Sequence, residues 1–149
     1  MVVDKKINNK KIVLASDHAG FNLKEKIKKF LLKKRRNILD LGTKNSNSVD
    51  YPDLAHKLSK KINKNSNQFG ILICGSGIGM DMTANKHKNI RAALCYNLKS
   101  TRLSRKHNNA NVMTLVSRLT KKNVSLKCVD AFLNTKFSGG RHLRRVKII

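Results

Sequence analysis

The segment ILICGSGIGM, residues 71–80, places a thiol directly before a turn that contains three glycines. The apolar run ending in Cys74 is typical of a buried strand, and Gly75, Gly77 and Gly79 let the backbone take positive φ and approach a ligand closely. Successive N–H groups at a turn leading into a helix can hold an oxyanion, and the positive end of that helix is expected to lower the thiol pKa. A thiolate beside such a cradle suits proton abstraction next to a carbonyl, with the enediolate held by backbone amides.

The glycine turn is a weak signal when it is taken alone. No Lys-Ser/Thr pair follows it, so it is not a Walker loop, and it is not a secure GxGxxG fingerprint. A cysteine in an apolar strand is usually a small core residue. The glycine turn therefore indicates a functional site only if other residues of the chain point to the same place.

Other reactive side chains stand where predicted strands end. Asp17 and His18 follow the first strand, Tyr51 follows the loop after the second, and Arg118 follows the fifth. Each has an ordinary structural explanation, such as a helix N-cap for the aspartate. Because ligands of open parallel sheets bind outside the carboxyl ends of the strands, their shared location favours one site.

Two further groups of basic residues leave alternatives open. Arg141 and Arg145 are four residues apart and would share a helix face able to grip a phosphate, or would belong to a solvated basic tail. His107 follows the fourth predicted helix, on the amino-end side of the sheet. It is either a structural cation at a helix C-terminus or a residue that completes a neighbouring subunit's site.

Apolar runs and helical periodicities alternate along the chain, which predicts an α/β fold with a five-stranded parallel sheet covered by helices on both faces. The length fits one domain over residues 1–149, with 1–10 as a short N-terminal extension and 138–149 as a basic C-terminal segment. The predicted strands are 11–16, 37–42, 69–74, 90–96 and 111–117. The predicted helices are 21–34, 51–62, 77–86, 98–107 and 123–133, with the lysines of the first on its solvent face.

The composition is strongly basic, with 33 Lys+Arg against 8 Asp+Glu and a formal charge of +25. This charge suggests nucleic-acid binding, but the lysines are spread over nearly every segment, so we expect no specific nucleic-acid partner. Three widely spaced cysteines argue against a disulfide framework or a zinc site. Without an apolar span or a secretory signal, a cytoplasmic location and no membrane partner are expected.

The motifs in their order resemble the ribose-5-phosphate isomerase B / galactose-6-phosphate isomerase family from about residue 11 to 149. They read SDHAGFNLKEKI, DLGT, VDYPDLA, GILICGSGIGM, ANKHKNIRAALC, LSRKHNNANV, VDAFL and GGRHLRRV. The resemblance implies a Rossmann-like three-layer sandwich, no metal, no organic cofactor, and a homodimer or dimer of dimers with active sites shared between subunits. It implies interconversion of ribose 5-phosphate and ribulose 5-phosphate through a cis-enediolate.

The resemblance also implies catalytic roles. Cys74 would move the proton between C1 and C2, and Ser76 with the amides of the three loop glycines would hold the enediolate. Asp17 and His107 would open the furanose ring, with His107 reaching in from the partner chain. Family members without this cysteine use a glutamate a few residues downstream, where this chain has Met80, which leaves Cys74 as the base.

The implied substrate-binding residues complete the list. His18, Arg141 and Arg145 resemble phosphate ligands, with Arg118 joining them from the other subunit. Tyr51 would line the sugar, and Asn108 would bind substrate beside His107.

Three alternatives remain from the sequence. The same chemistry could serve galactose 6-phosphate or allose 6-phosphate, because one hydroxymethyl group changes specificity only modestly in many pockets. The charge alone motivates a basic nucleic-acid-binding module. A nucleotide-binding domain is disfavoured, since no acidic residue ends the second strand in a place suited to a ribose.

Overall fold

The computed structural model describes residues 10–64 and 67–149. Residues 1–9 of the predicted N-terminal extension lie outside the described residues. The strands are β1 Lys11–Ser16, β2 Ile38–Asp40, β3 Gln68–Cys74, β4 Ala92–Leu94 and β5 Val112–Val116. The helices are α1 Phe21–Lys33, α2 Tyr51–Asn63, α3 Ile78–Ala84, α4 Leu98–Lys106, α5 Lys122–Asn134 and α6 Arg141–Val146.

The five strands form one sheet in the order β2-β1-β3-β5-β4, and every neighbouring pair is parallel. The chain leaves β1 toward β2 and then crosses back to β3 on the other side of β1. The carboxyl ends of β1 and β3 therefore flank a reversal of strand order, where open α/β sheets form a ligand crevice. The predicted α/β fold with a five-stranded parallel sheet is confirmed.

Helices bury apolar residues against both faces of the sheet, as the near-continuous apolar strands require. On one face, α1 and α5 supply residues such as Ile27 and Phe132. On the other face, α2 and α3 supply residues such as Leu58 and Met80, and Cys74 lies in that second cluster. This packing holds the carboxyl end of β3 in the core and leaves the loop that follows it at the carboxyl-end side of the sheet.

The edge strands are shorter than predicted. β2 covers 38–40 where 37–42 was predicted, and β4 covers 92–94 where 90–96 was predicted. Each has a hydrogen-bonded neighbour on one side only, so the ladder ends where the chain turns away.

One lysine of α1 departs from the prediction that the helix lysines face solvent. Lys24 is fully buried, and its Nζ lies 2.6 Å from Asp40 Oδ2 and 3.2 Å from Glu25 Oε1. The helical period places this position toward the sheet, and the acceptors on β2 and α1 satisfy the buried ammonium. The expectation that no acidic residue ends the second strand is therefore wrong, since Asp40 is the last residue of β2, but its carboxylate is paired with lysines of α1. Within residues 10–64 and 67–149, no helix combines the length and the hydropathy needed to cross a membrane.

Candidate active site

A cleft of about 620 Å³ opens at the carboxyl ends of β1 and β3. It brings together eight residues that the sequence singled out, and four more line it. The predicted residues are Asp17, His18, Tyr51, Cys74, Gly75, Ser76 and Gly79 with Arg118 from the end of β5, and the others are Ala19, Ile78, Met82 and Leu119.

Cys74 lies at the floor of this cleft. Its side chain is only 4% exposed and packs in the α2/α3 core cluster, yet it lines the cleft. The Sγ atom accepts a 3.1 Å hydrogen bond from the backbone N–H of Gly77. A thiol in this position is shielded from bulk water and open to a molecule seated on the glycine turn.

Burial raises the pKa of the Cys74 thiol, and this is the largest influence on it. The backbone N–H groups of Met80 and Gly77 oppose the shift, while the charge of Asp17 adds to it. The expectation that the helix end would lower the thiol pKa is therefore wrong for the free protein, because desolvation outweighs the donors. The thiolate gains donors from the turn but loses more hydration than they replace.

Each loop glycine serves a different contact. Gly77 has a φ of 76° and would bring a Cβ within 2.5 Å of Leu94, and it is buried beneath the loop. Gly79 lies under the Tyr51 ring, where a Cβ would meet ring atoms at 2.5–2.7 Å. Gly75 lies under the Arg118 side chain, whose atoms an added Cβ would meet at 3.2–3.5 Å. The absence of Cβ atoms thus lets an aromatic ring and a guanidinium close over the turn.

Asp17 is buried and held by the backbone. Its Oδ1 accepts a 2.9 Å hydrogen bond from Gly20 N–H, and its own N–H donates to Ile73 O at 3.2 Å. The N-cap residue of α1 is Gly20, so Asp17 stabilises the turn before the helix and is not its cap. Sequence reasoning missed Gly20, whose Cβ would come within 2.3 Å of Ile73 O; the signal was a glycine three residues after the aspartate.

His18 receives a hydrogen bond on one ring nitrogen. The backbone N–H of Val49 donates to His18 Nδ1 at 3.3 Å. A backbone N–H can only donate, so Nδ1 is the unprotonated nitrogen and the ring proton is on Nε2. His18 therefore offers an N–H donor, as a phosphate ligand requires. Val49 acts through its backbone, which no side-chain pattern could reveal.

Arg118 lies in the cleft of its own chain. The resemblance implied that it would come from the other subunit, but its side chain lies on Gly75 and its N–H donates to Gly75 O at 3.1 Å. The turn after β5 is anchored to the turn after β3 by this bond, which places the guanidinium beside Cys74. The sequence had correctly placed it at a strand's carboxyl end.

His107, Asn108, Arg141 and Arg145 form a second cluster, built on the turn between α4 and the amino end of β5. His107 ends α4, and its ring stacks on the ring of His142 with centroids 4.1 Å apart and planes 11° apart. Partial burial and the nearby groups His107, Arg141 and Arg145 lower the pKa of His142. The basic segment, for which the sequence left a helix face or a solvated tail open, forms the helix α6, so Arg141 and Arg145 share a helix face. Asn108 is exposed on the adjoining turn.

None of the described residues that line the cleft comes from this second cluster. The predicted site is thus divided within one chain into a cleft at the carboxyl ends of the strands and a basic cluster on the amino-end side of β5. Sequence reasoning also missed the apolar rim formed by Ile78, Met82 and Leu119; the available signal was large apolar side chains in a loop and on an exposed helix turn. No group of three or more potential metal ligands occurs among residues 10–64 and 67–149.

The family model described as Ribose/Galactose Isomerase matches residues 12–149. A probable ribose-5-phosphate isomerase B of Mycoplasma genitalium is 47% identical over 93% of both chains. The ribose-5-phosphate isomerase B of Escherichia coli is 39% identical over 94% of both chains.

Solved structures give the same result. A ribose 5-phosphate isomerase from Thermotoga maritima is 50% identical, with a TM-score of 0.90 over 93% of this chain and 96% of that one. The Mycoplasma genitalium structure with bound ribulose-5-phosphate is 45% identical, with a TM-score of 0.89 over 93% of this chain and 92% of that one. Because the family match spans nearly the whole chain and includes both the cleft and the basic cluster, this protein belongs to the ribose/galactose isomerase family.

Proposed function

We propose that this chain interconverts ribose 5-phosphate and ribulose 5-phosphate. The observation that carries the proposal is the Cys74 thiol at the floor of an open cleft, with Asp17 and a glycine turn beside it. The similarity to relatives named ribose-5-phosphate isomerase B, one of them holding ribulose-5-phosphate, supports the same chemistry here.

Cys74 is the base in this reaction. Its thiolate takes the proton from C2 of the open-chain aldose, the C–H electron pair enters the C1–C2 bond, and the carbonyl oxygen becomes an enediolate oxyanion. The O2 hydroxyl proton then moves to O1, with the Ser76 hydroxyl as the relay, which leaves the negative charge on O2. Collapse of the O2 oxyanion to a carbonyl with return of the proton from sulfur to C1 gives the ketose and restores the thiolate. Because its pKa is raised, the thiolate is a stronger base once it has formed. The cleft therefore favours transfer of the substrate proton to sulfur over a long-lived thiolate.

The turn after β3 stabilises the oxyanion. Ser76 is exposed at the cleft, and its Oγ accepts a hydrogen bond from Ile78 N–H at 3.3 Å, which leaves the hydroxyl proton to donate. The amides of Gly75 and Gly79 lie at the same wall. The Gly77 amide, assigned to the enediolate by resemblance, donates to the base sulfur in the free protein.

Asp17 and His107 open the furanose ring, His18, Arg118, Arg141 and Arg145 bind the phosphate, and Tyr51 and Asn108 contact the sugar. A phosphate dianion near several arginines gains charge-assisted hydrogen bonds that fix the reacting carbons relative to the sulfur. The protein's charge of +25 attracts such an anion over distance.

A complete site requires a second copy of the chain. The basic cluster lies on the amino-end side of β5, whereas the cleft lies at the carboxyl ends of the strands. The cleft mouth carries exposed apolar side chains, of which Leu119 is 79% exposed and Met82 65% exposed. A partner that covers this rim would bury the apolar residues and bring its own His107 to the cleft. We therefore propose a homodimer, or a dimer of dimers, with shared sites.

Cys74→Ala tests the base. The variant is expected to fold and to lose turnover of ribose 5-phosphate by at least about three orders of magnitude, as removal of a catalytic base does. Near-normal turnover by the folded variant would remove Cys74 from the mechanism. A far-ultraviolet circular dichroism spectrum and a urea midpoint that match the wild type establish that the variant is folded.

A six-carbon substrate is the second candidate, because the matching family's description includes galactose as well as ribose. Both reactions would use the same thiol and turn, so the test is a comparison of kcat/KM for ribose 5-phosphate, galactose 6-phosphate and allose 6-phosphate on one preparation. A higher kcat/KM for a hexose phosphate than for ribose 5-phosphate would change the proposed substrate and leave the proposed chemistry unchanged.

A further inference from the structure

The basic cluster is built from two segments that are distant in the sequence. His107 and Asn108 belong to the turn after α4, whereas Arg141 and Arg145 belong to α6. Arg105, which precedes the turn, contacts both the turn and the chain that leads to α6.

Arg105 is buried, with 6% of its surface exposed, and its guanidinium lies 4.8 Å from the Phe69 ring centroid and 5.6 Å from that of Phe132. Its hydrogen bonds within the described chain go to uncharged oxygens. Nη1 donates to Ala110 O at 2.6 Å and to Asn109 Oδ1 at 3.0 Å, and Nε donates to Thr135 O at 3.2 Å.

The first two bonds fix the turn that carries His107 and Asn108. Asn109 has a φ of 47°, in the left-handed region, and Arg105 holds its side chain while Arg91 Nε donates to its carbonyl at 3.0 Å. A turn pinned on both sides of Asn109 has little freedom to rotate. The contacts of Asn109 therefore set the orientation of the turn that carries His107 and Asn108.

The third bond fixes the segment that leads to α6. Thr135 follows α5 directly, and three residues later Ser138 N–H donates to Lys106 O at 3.0 Å. The stacked rings of His107 and His142 complete the connection. Arg105 and its neighbour Lys106 thus tie the α6 segment to the same turn at two points.

We propose that Arg105 is a positioning residue that holds His107, Asn108, Arg141 and Arg145 in one rigid arrangement for delivery to the partner's cleft. The inference rests on the proposed isomerase function. Arg105 is buried and touches no substrate. It sets the positions of the residues that open the furanose ring and of those that bind the phosphate.

An arginine is suited to this task and a lysine is not. The planar guanidinium donates in several fixed directions at once, whereas an ammonium on a flexible stem cannot reproduce the fork. Burial, followed by the charge of Arg91, lowers the pKa of Arg105 to about 10, so the group remains protonated near neutral pH. Arg105→Lys therefore keeps the positive charge and removes the fixed arrangement of hydrogen-bond donors.

The first experiment compares Arg105→Lys with Arg102→Lys, the same change at an exposed position one helical turn earlier in α4. For Arg105→Lys we expect kcat for ribose 5-phosphate to fall at least about tenfold and KM to rise at least about fivefold, since small misplacements of binding groups are costly. A protein that is merely less folded has a lower kcat with normal KM. Arg102→Lys should match the wild type in both constants.

Asn109→Gly provides a second variant that leaves the buried charge in place. Glycine accepts the positive φ at this position, so the change removes chiefly the Oδ1 acceptor of Arg105. We expect a rise in KM in the same direction and of smaller size. Arg105→Lys and Asn109→Gly enzymes that are folded and have wild-type kcat and KM would overturn the proposal.

A readout independent of activity separates this proposal from the function on which it rests. NMR titration of the histidines follows the pKa of His142, which lies below its ordinary value beside His107 and the two α6 arginines. In Arg105→Lys the pKa of His142 should move toward the ordinary value as the stack loosens, with no change in Arg102→Lys. An unchanged titration refutes positioning. A wild-type protein without isomerase activity refutes the function, whatever the titration shows.

Discussion

The backbone N–H of Gly77 donates a 3.1 Å hydrogen bond to the Sγ atom of Cys74. Asp17 lines the same cleft from the carboxyl end of the neighbouring strand β1. The turn thus supplies the sulfur with a donor, while burial and the aspartate work against the thiolate. Activation of this base is a balance between two opposing effects.

Because the net effect is a raised pKa, alkylation of Cys74 should be slow near pH 7 and should keep accelerating above the ordinary thiol range. The measurement is the rate of iodoacetamide labelling between pH 6 and 10. A plateau reached below about pH 8 would show a lowered pKa and contradict the structure. Cys74→Ala is the control, since Cys95 and Cys128 are fully buried and burial raises the pKa of Cys95 to about 12.

Gly20 should tolerate no side chain. A Cβ there would lie 2.3 Å from Ile73 O, and backbone in a central strand cannot give way. Gly20→Ala is expected to lower the free energy of unfolding by about 3 kcal/mol, measured by urea denaturation. Gly75→Ala, which meets only a flexible arginine arm, should change it by less than about 1 kcal/mol. Equal effects of the two changes would show that the backbone contact is not rigid.

The sequence predicted the sheet, the helices and the cleft residues because each rests on local information. Buried strands read as apolar runs, and residues after them must meet at one rim. Two features lay outside that reasoning. The pKa of Cys74 depends on how deeply α2 and α3 bury it, and the position of Arg118 depends on the bond of its N–H to Gly75 O. Both are tertiary properties that no motif encodes.

His18 should act through Nε2, because Val49 N–H occupies Nδ1. Glutamine can place an amide N–H near the Nε2 position, whereas alanine has no donor, so His18→Gln should raise KM for ribose 5-phosphate less than His18→Ala does. The comparison of the two KM values tests the tautomer through function. Nitrogen chemical shifts of His18 test it directly; a proton found on Nδ1 would contradict the assignment.

The His56 and His87 rings join α2 to the turn after α3 by a 2.7 Å hydrogen bond between Nδ1 and Nε2. Partial burial, His56 and Lys60 lower the pKa of His87. A histidine whose folded pKa is lowered binds fewer protons in the folded state, so stability is complete above the unfolded value and falls as the pH drops through about 6.5. We expect a lower urea midpoint at pH 5.5 than at pH 7.5, and a smaller difference in His87→Gln. An undiminished difference would place the titrating group elsewhere.

The proposed division of the site between two chains gives the most direct prediction. In the proposed mechanism Cys74→Ala lacks the base and His107→Ala lacks the imidazole donated by the partner, so each homodimer should be nearly inactive. After denaturation and refolding of an equal mixture, half the dimers carry one of each chain, and one of the two sites in such a dimer has both groups intact. Recovered activity should therefore reach about one quarter of the wild-type value in a twofold-symmetric dimer. Mixing that restores nothing, while wild-type chains treated in the same way recover, would mean that His107 serves its own chain or has no part in catalysis.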